Sequence, residues 1–377
     1  MQLNLGCSTL HFLSEFWQKK PLLVRQALPG FQSSVTPAEL AGLACEKGVE
    51  ARIIQGQGKR FSVSHGPFAE KMFRQLPASN WTLLVQSVDQ WDFEVAALLQ
   101  HFAFLPRWRI EDIMISYASK GGSVGAHVDQ YDVFLLQAAG KRRWAIDSGE
   151  GSSGPRKYAL RSEVKLLQRF KATESFDLAP GDMLYLPPGV GHHGVALDSD
   201  CMTFSIGLRA PSLTEMLMDF AAERAEMLPD SQRYSDPDLA PRTDANAIET
   251  TDIERARGLM QQALALDSDE FANWFGRFIT RYRSLSVAAR RGNKAISLDA
   301  RLNSLGANPW VLQPDPRFRW AYTKHGLYAG GAHFVLSERV SAKLLASGIA
   351  RLDWQTLAQA ECAEFEKLYA LGALVLA

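Results

Sequence analysis

Residues 127–137 read His-Val-Asp-Gln-Tyr-Asp-Val-Phe-Leu-Leu-Gln, a polar His-x-Asp that runs directly into an apolar segment. Strand alternation would place His127, Asp129 and Tyr131 on one face. A carboxylate beside an apolar run needs a compensating partner, which a metal ion or an arginine would supply. A non-haem Fe(II) site takes two imidazoles and one carboxylate on a β-scaffold as its ligands. His127 and Asp129 would supply one imidazole and the carboxylate. The stretch therefore predicts a strand that carries two metal ligands.

The third ligand is expected after a second motif, Tyr185-Leu-Pro-Pro-Gly, which is followed by His192 and His193. Adjacent residues in an extended corner point opposite ways, so only one of these imidazoles can face the other ligands. We expect His192 to bind the metal, and His193 either to support the metal ligands from behind or to face solvent. With eight His and 41 acidic residues in the chain, about one His-x-Asp or His-x-Glu is expected by chance, so the interpretation depends on the surrounding sequence.

The sequence around these motifs is a series of strand-like runs separated by Gly, Pro, Ser and Asp, without helices between them. The predicted strands are 112–118, 127–137, 142–146, 175–178, 183–186, 194–196 and 202–208. Regular punctuation of this kind indicates a β-sandwich or barrel rather than an α/β fold. We therefore predict a mostly β catalytic core, a double-stranded β-helix of the jelly-roll type, within residues 1–210.

The segments before this core mix helices and short strands. Helices are predicted over 9–20, from Thr36 as N-cap with Pro37 in the first turn, and over 91–104. Short strands are predicted at 21–28, 51–54 and 61–64.

Helical periodicity returns after Pro211. Helices are predicted from Leu213 to Ala221 and over 253–266 and 270–282, which gives a helical domain at 211–287. Its apolar stripes could complete an intramolecular bundle or dock a second subunit, and we expect self-association into a homodimer. Residues 288–377 are predicted to form a small α+β domain, with a winged-helix-like arrangement as one option and a hairpin at 327–336.

Composition describes an ordinary globular protein, with 46% hydrophobic and 22% charged residues and a formal net charge of zero. The balanced charge gives no general argument for a nucleic-acid partner. The four cysteines show no zinc-ligand spacing, which is typical of reduced thiols in a cytosol. We find no secretory signal and no apolar run of membrane-spanning length, so we expect a cytoplasmic protein without a membrane partner.

Two further strands carry polar residues at regular spacing. In the basic triplet that begins at Lys141, alternation places Arg142 on the face of Trp144 and Ile146, and Arg143 on the other. The alternative is that all three basic residues form a solvated hairpin end. In the strand 112–118, one face carries Asp112, Met114, Ser116 and Ala118.

These motifs closely resemble those of JmjC-type 2-oxoglutarate oxygenases. The resemblance rests on residues 127–137, on Lys141-Arg-Arg-Trp and on Pro180-Gly-Asp-Met-Leu-Tyr-Leu-Pro-Pro-Gly. The chain is most similar to the bacterial ribosomal oxygenases, which hydroxylate an arginine of the sixteenth large-subunit ribosomal protein. The similarity extends to Trp17-Gln-Lys-Lys-Pro, Val63-Ser-His-Gly-Pro-Phe and Tyr234-Ser-Asp-Pro-Asp, and it is faint beyond residue 290. One departure is His193, because the residue after the distal ligand is usually acidic.

The resemblance implies a JmjC/cupin-like fold with Fe(II), 2-oxoglutarate as co-substrate and O2. The iron ligands would be His127, Asp129 and His192. Arg142 matches the family position that binds the distal carboxylate of 2-oxoglutarate, a group that a guanidinium can take bidentately. Ser116 would add a hydrogen bond to the co-substrate if its strand face is the interior one.

The substrate implied is an arginine side chain of a large-subunit ribosomal protein, hydroxylated at Cβ with release of succinate and CO2. Asp112 would pair with the guanidinium, Met114 and Tyr131 would flank the side chain, and Ser205 would add a polar contact at the pocket mouth. The alternative for two of these residues is that Met114 is core and Asp112 a surface charge at the strand end.

Two other functions stay open at this point. A cupin-like metal dioxygenase or isomerase acting on a small molecule would have the same barrel and metal but no 2-oxoglutarate. A ribosome-assembly factor with a vestigial metal site would use its helical and C-terminal parts for binding. The intact ligand triplet and Arg142 argue against the second alternative.

Overall fold

The computed structural model describes residues 3–58, 60–148, 166–281, 296–306 and 308–377. The chain divides into two compact units, Met1–Ala210 and Pro211–Ala377. Each unit encloses a hydrophobic core of its own. Within the described part of the chain, no helix combines the length and the apolar character needed to cross a lipid bilayer.

The first unit is dominated by antiparallel strands, as the sequence predicts. Its strands are β1 Leu22–Val24, β2 Ala51–Gln57, β3 Arg60–His65, β4 Trp81–Val85, β5 Asp112–Ala118, β6 His127–Val128, β7 Asp132–Ala139, β8 Arg142–Asp147, β9 Glu174–Leu178, β10 Met183–Leu186, β11 Gly191–Ala196 and β12 Cys201–Leu208. Its α-helices are α1 Thr9–Glu15, α2 Pro37–Leu43, α3 Glu70–Phe73 and α4 Phe93–Ala97. Short 3-10 helices lie at Val88–Gln90, Leu98–Phe102 and Arg107–Arg109.

Two sheets face each other in this unit. The larger has the order β1-β10-β7-β12-β5-β4-β2-β3, and the smaller β6-β11-β8-β9. Leu135 and Leu184 of the larger sheet share a core cluster with Trp144 and Ile146 of the smaller one. The opposite face of the larger sheet packs on the main core of the unit, which includes Phe12 of α1. The predicted β-rich core is thus confirmed.

The inner face of the larger sheet is ordered in rows across β5, β12 and β7. Residues paired in register face the same side, so each row joins three residues on one face of the sheet. The outer, middle and inner rows are Asp112–Gly207–Val133, Met114–Ser205–Leu135 and Ser116–Thr203–Gln137. Beyond the inner row, Ala118, Ala196 and Cys201 pack together. The two sheets therefore enclose a cleft that narrows to a small apolar contact at this end.

Two predicted elements are broken in the structure. The strand 127–137 divides into β6 and β7, and residues 129–131 lie in neither. The helix 91–104 begins only at Phe93, because Asp92 accepts a hydrogen bond from the Val95 amide as N-cap. After Ala97 the chain continues as a 3-10 helix. Residues three positions apart lie on the same side of such a helix, and here that side is buried.

Two predictions about element ends have different outcomes. Thr36 caps α2 with a capping box to Glu39, so the predicted helix start is confirmed. The predicted strand 21–28 is shorter, at Leu22–Val24, because only these residues pair with β10.

The second unit combines helices with two small sheets. Its helices are α5 Leu213–Met227, α6 Thr250–Leu264, α7 Ser268–Arg281, α8 Leu298–Ser304, α9 Glu338–Ser347, α10 Arg351–Trp354 and α11 Gln359–Leu371. Its strands are β13 Val311–Pro314, β14 Trp320–Thr323, β15 Gly326–Ala329, β16 Ala332–Phe334, β17 Ile349–Ala350 and β18 Leu374–Leu376. The sheets are β17-β13-β18 and β14-β15-β16. The predicted hairpin is β15–β16, whereas Tyr282 and the predicted boundary at 287/288 lie outside the described residues.

Candidate metal and substrate site

Three of the predicted site residues meet at one end of the cleft. His127 of β6 lies beside His192 of β11 in register, and their ring centroids are 4.2 Å apart. Asp129 follows β6, and its Oδ2 lies 3.5 Å from Nε2 of His192. One possible ligand atom from each of the three residues lies within 4.8 Å of the others. The donors therefore converge on one point, as a single cation requires.

Backbone carbonyl groups orient both imidazoles. Nδ1 of His127 donates to the carbonyl oxygen of Gly125 at 2.9 Å, and Nδ1 of His192 donates to that of Val190 at 3.0 Å. Because a carbonyl oxygen can only accept, each Nδ1 carries the proton and Nε2 keeps its lone pair. A histidine held in this way presents Nε2 to a metal ion.

The electrostatics of the triplet also suit a divalent cation. Burial, together with the neighbouring His192, lowers the pKa of His127 to about 4. For Asp129, burial acts to raise the pKa, but the adjacent His192 and His127 outweigh it, so the pKa is lowered. A neutral imidazole and an ionised carboxylate are the forms that bind metals.

His193 does not join this group. Its Nε2 lies 3.0 Å from Oγ of Ser123, and the same hydroxyl accepts a hydrogen bond from the Gly125 amide. The Phe170 ring meets the imidazole edge-on. His193 thus braces the glycine-rich turn before His127. Sequence reasoning missed Ser123, for which the only signal is its place between Gly122 and Gly125.

Arg142 is buried deeper in the cleft, on the strand face that holds Trp144. It is 3% exposed, and among the described residues its Nε and Nη2 have no hydrogen-bond partner. Arg143 is exposed on the other face and pairs with Asp177 through two hydrogen bonds. The alternative of a solvated hairpin end is therefore wrong for Arg142. A buried guanidinium with unpaired donors is costly alone and fits an anionic ligand.

Polar side chains surround the same depth of the cleft. Ser116 is 4% exposed on the inner face, and its hydroxyl donates to the carbonyl of Thr203 at 3.4 Å. Thr203 in turn donates to the side-chain oxygen of Gln137 at 3.0 Å. Trp144 Nε1 is buried without a hydrogen-bond partner among the described residues. Sequence reasoning missed Thr203 and Gln137, because only register across three strands places them beside Ser116.

The four residues predicted to contact the substrate lie around the outer and middle rows. Asp112 is 6% exposed, so the alternative of a surface charge is wrong. Met114 and Ser205 are cross-strand neighbours in the middle row. Tyr131 hydrogen-bonds to Asp129, and burial together with the Asp129 charge raises the pKa of Tyr131. The structure therefore places Tyr131 between the three converging donors and the outer row.

Comparison with known proteins identifies the same region. Residues 97–216 match the JmjC domain. Ribosomal protein uL16 3-hydroxylase of Escherichia coli (strain K12) is 38% identical over 283 residues, which cover 75% of this chain and 74% of that protein. The probable ribosomal oxygenase of Haemophilus influenzae is 32% identical over 358 residues, which cover 92% of this chain and 87% of that protein.

Solved structures agree with these relatives. The X-ray structure of Escherichia coli YcfD superimposes with a TM-score of 0.89 at 31% identity, covering the whole of both chains. The structure of YcfD, a ribosomal oxygenase, in complex with cobalt and 2-oxoglutarate gives 0.84 at 31% identity, covering 100% of this chain and 99% of that one. The resemblance seen in the motifs is confirmed, and the chain belongs to the JmjC-domain ribosomal oxygenases, a family of enzymes.

Proposed function

We propose that this protein is an Fe(II)- and 2-oxoglutarate-dependent oxygenase that hydroxylates an arginine side chain, at Cβ, of a large-subunit ribosomal protein. The observation that carries the proposal is the convergence of His127, Asp129 and His192 in a cleft that also buries Arg142. When bound, the iron would couple decarboxylation of 2-oxoglutarate by O2, which yields succinate and CO2, to insertion of one oxygen atom into a C–H bond.

The residues of the cleft have separate tasks in this proposal. His127 and His192 hold the metal through Nε2, because their Nδ1 atoms are tied to carbonyls. Arg142 takes the distal carboxylate of the co-substrate with donors that are otherwise unpaired among the described residues. Ser116 adds a hydrogen bond to the co-substrate when its hydroxyl turns away from the Thr203 carbonyl. The buried indole of Trp144 excludes water beside these groups.

The substrate side chain would enter past the outer row. Asp112 pairs with the guanidinium, Met114 and Tyr131 flank the alkyl stem and the plane, and Ser205 makes a polar contact. The burial of Asp112 supports this role, because a charge–charge hydrogen bond is stronger away from water.

The two alternative functions are less well supported. A cupin-like dioxygenase has no need of a buried guanidinium beside the metal site, and Arg142 supplies one. A non-catalytic assembly factor has no need of two imidazoles oriented for metal binding. Only the proposed oxygenase would form succinate in step with substrate oxidation. The cupin-like dioxygenase would oxidise its substrate without succinate, and the assembly factor would do neither.

The test compares ribosomal proteins from cells with and without this gene by mass spectrometry. We expect a gain of one oxygen atom on one arginine of a large-subunit protein only where the gene is present, and no such gain would contradict the proposed substrate. The site is tested by two matched variants. His127→Ala should abolish iron-dependent turnover, whereas His193→Ala should retain it, and equal turnover in both would contradict the assignment.

We also propose that the protein acts in the cytoplasm as a homodimer formed through residues 211–287. Large apolar side chains on α5 and α6 are exposed, among them Leu213, Leu217, Met218 and Met260. Light scattering should give twice the chain mass for the wild type and the mass of one chain for Leu217→Glu. A monomeric wild type would contradict this part of the proposal. The winged-helix-like character of residues 288–377 stays a prediction.

A further inference from the structure

Gly207 occupies an unusual place for a glycine. It lies in the buried central strand β12, paired with Asp112 on one side and Val133 on the other. A glycine inside a strand destabilises the folded protein relative to alanine, because the unfolded chain has more conformational freedom to lose. Such a glycine often marks a position that a ligand or another backbone approaches closely.

The fold itself does not require a glycine at this position. Its φ lies outside the left-handed region that favours glycine. An added Cβ would lie 3.4 Å from Oδ1 of Asp112 and 3.8 Å from Cε2 of Tyr131, which are ordinary van der Waals distances. Alanine would therefore fit without strain or overlap. Its methyl group would lie between a carboxylate oxygen and the edge of an aromatic ring.

The carboxylate on one side of this gap is held in a fixed orientation. Oδ2 of Asp112 accepts hydrogen bonds from the Ser87 amide at 2.8 Å, the Gln86 side-chain amide at 3.1 Å and the Ser87 hydroxyl at 3.2 Å. These donors fix Oδ2 on the side of residues 86–87, while Oδ1 lies towards Gly207. A carboxylate held this way binds with little loss of rotamer entropy.

We propose that Gly207 is a specificity-determining residue, whose missing side chain leaves a slot for a planar guanidinium between Asp112 and Tyr131. The carboxylate accepts N–H hydrogen bonds from the cation, and the aromatic ring packs against its plane. A lysine ammonium lacks this planar fork and fits the slot less well. The inference rests on the proposed arginine substrate and extends it to the residue that makes room for that side chain.

Gly207→Ala tests the slot, with Gly42→Ala as the matched control. Gly42 lies in α2, and a Cβ there would meet nothing within 4 Å. The probe is the ribosomal-protein peptide that the wild type oxidises, and its Kd is measured by calorimetry on the cobalt-loaded protein. We expect Gly207→Ala to weaken peptide binding roughly tenfold or more, since one misplaced methyl group has an effect of this size. Affinity for 2-oxoglutarate should not change, and Gly42→Ala should match the wild type in both.

The outcomes separate the two proposals. If the wild type oxidises no arginine, the proposed function fails and the slot fails with it. If it oxidises one and Gly207→Ala binds the peptide as tightly as the wild type, only the slot is wrong.

A second measurement covers the case in which Gly207→Ala does not fold. The same peptide carrying Nη-methylarginine adds the methyl group from the ligand side, in the unchanged protein. It should bind the wild type roughly tenfold more weakly or worse. Equal binding of the two peptides would overturn the slot.

Discussion

Arg142 combines a cost to stability with a proposed role in co-substrate binding. Its buried guanidinium has unpaired donors among the described residues, which costs about 1–3 kcal/mol. Arg142→Met keeps the stem and removes the charge. We expect the free energy of unfolding of the protein without co-substrate to rise by about this amount. Affinity for 2-oxoglutarate should fall by roughly two orders of magnitude, because a buried charge-assisted pair is lost.

The neighbouring residue gives the control for this prediction. Arg143 is exposed, and its ion pair with Asp177 lies at the surface, where such pairs contribute about 0–1 kcal/mol. Arg143→Met should leave co-substrate affinity unchanged and lower stability only slightly. Calorimetric titration and denaturant unfolding measure both quantities. Equal loss of affinity in the two variants would show that Arg142 acts only through general charge.

The positions of Arg142 and Arg143 could be predicted because β8 is a regular strand, in which alternation alone assigns each side chain to a face. The bond between Ser123 and His193 could not, since the two residues are 70 positions apart and belong to no periodic pattern. Gly207 was missed for a related reason. Its proposed role depends on the lack of a side chain beside residues of other segments, which no pattern in the sequence reveals.

The 3-10 helix Val88–Gln90 carries a buried acid whose titration should be visible in stability. Burial and the nearby Asp112 charge raise the pKa of Asp89 to about 7 from its ordinary value of 3.8. Between these values the folded protein keeps a proton that the unfolded chain releases, so stability falls as pH rises from about 4 to about 7. Each pKa unit corresponds to about 1.4 kcal/mol.

Asp89→Asn should remove this dependence. Asp89 Oδ1 accepts from the Ile113 amide at 2.8 Å, and an asparagine oxygen can accept the same bond. We therefore expect the variant to melt at a higher temperature than the wild type at pH 8 and at nearly the same temperature at pH 4. Parallel melting curves across this pH range would show that Asp89 titrates normally.

The elements that the sequence predicted incorrectly share a physical cause. Strand alternation over 127–137 assumes a continuous ladder, but the chain leaves the sheet after Val128, and the Gly189 amide donates to the carbonyl of Asp129. The helix 91–104 likewise ignores the local bond by which Asp92 sets the true start. In both cases a hydrogen bond outside the regular pattern ends the element, and hydrophobic periodicity carries no signal of it.

For the whole molecule, metal binding should stabilise one unit selectively. A ligand at 100 times its Kd stabilises the native state by about 2.7 kcal/mol, and amides that exchange by unfolding slow by roughly a hundredfold. We expect cobalt with 2-oxoglutarate to slow hydrogen exchange over 127–148 and 183–208. Exchange over 311–334, in the unit with a separate core, should not change. His192→Ala should show no slowing, and slowing there would contradict the metal assignment.

The order of the rows also constrains the sequence of binding events. Arg142 lies near the narrow end closed by Ala118, Ala196 and Cys201, whereas Asp112 and Gly207 lie in the outer row. A peptide seated on the outer row would cover the path to Arg142. On the proposed function we expect 2-oxoglutarate to enter first and succinate to leave last, so excess peptide should inhibit turnover by trapping the small dicarboxylate at the inner end.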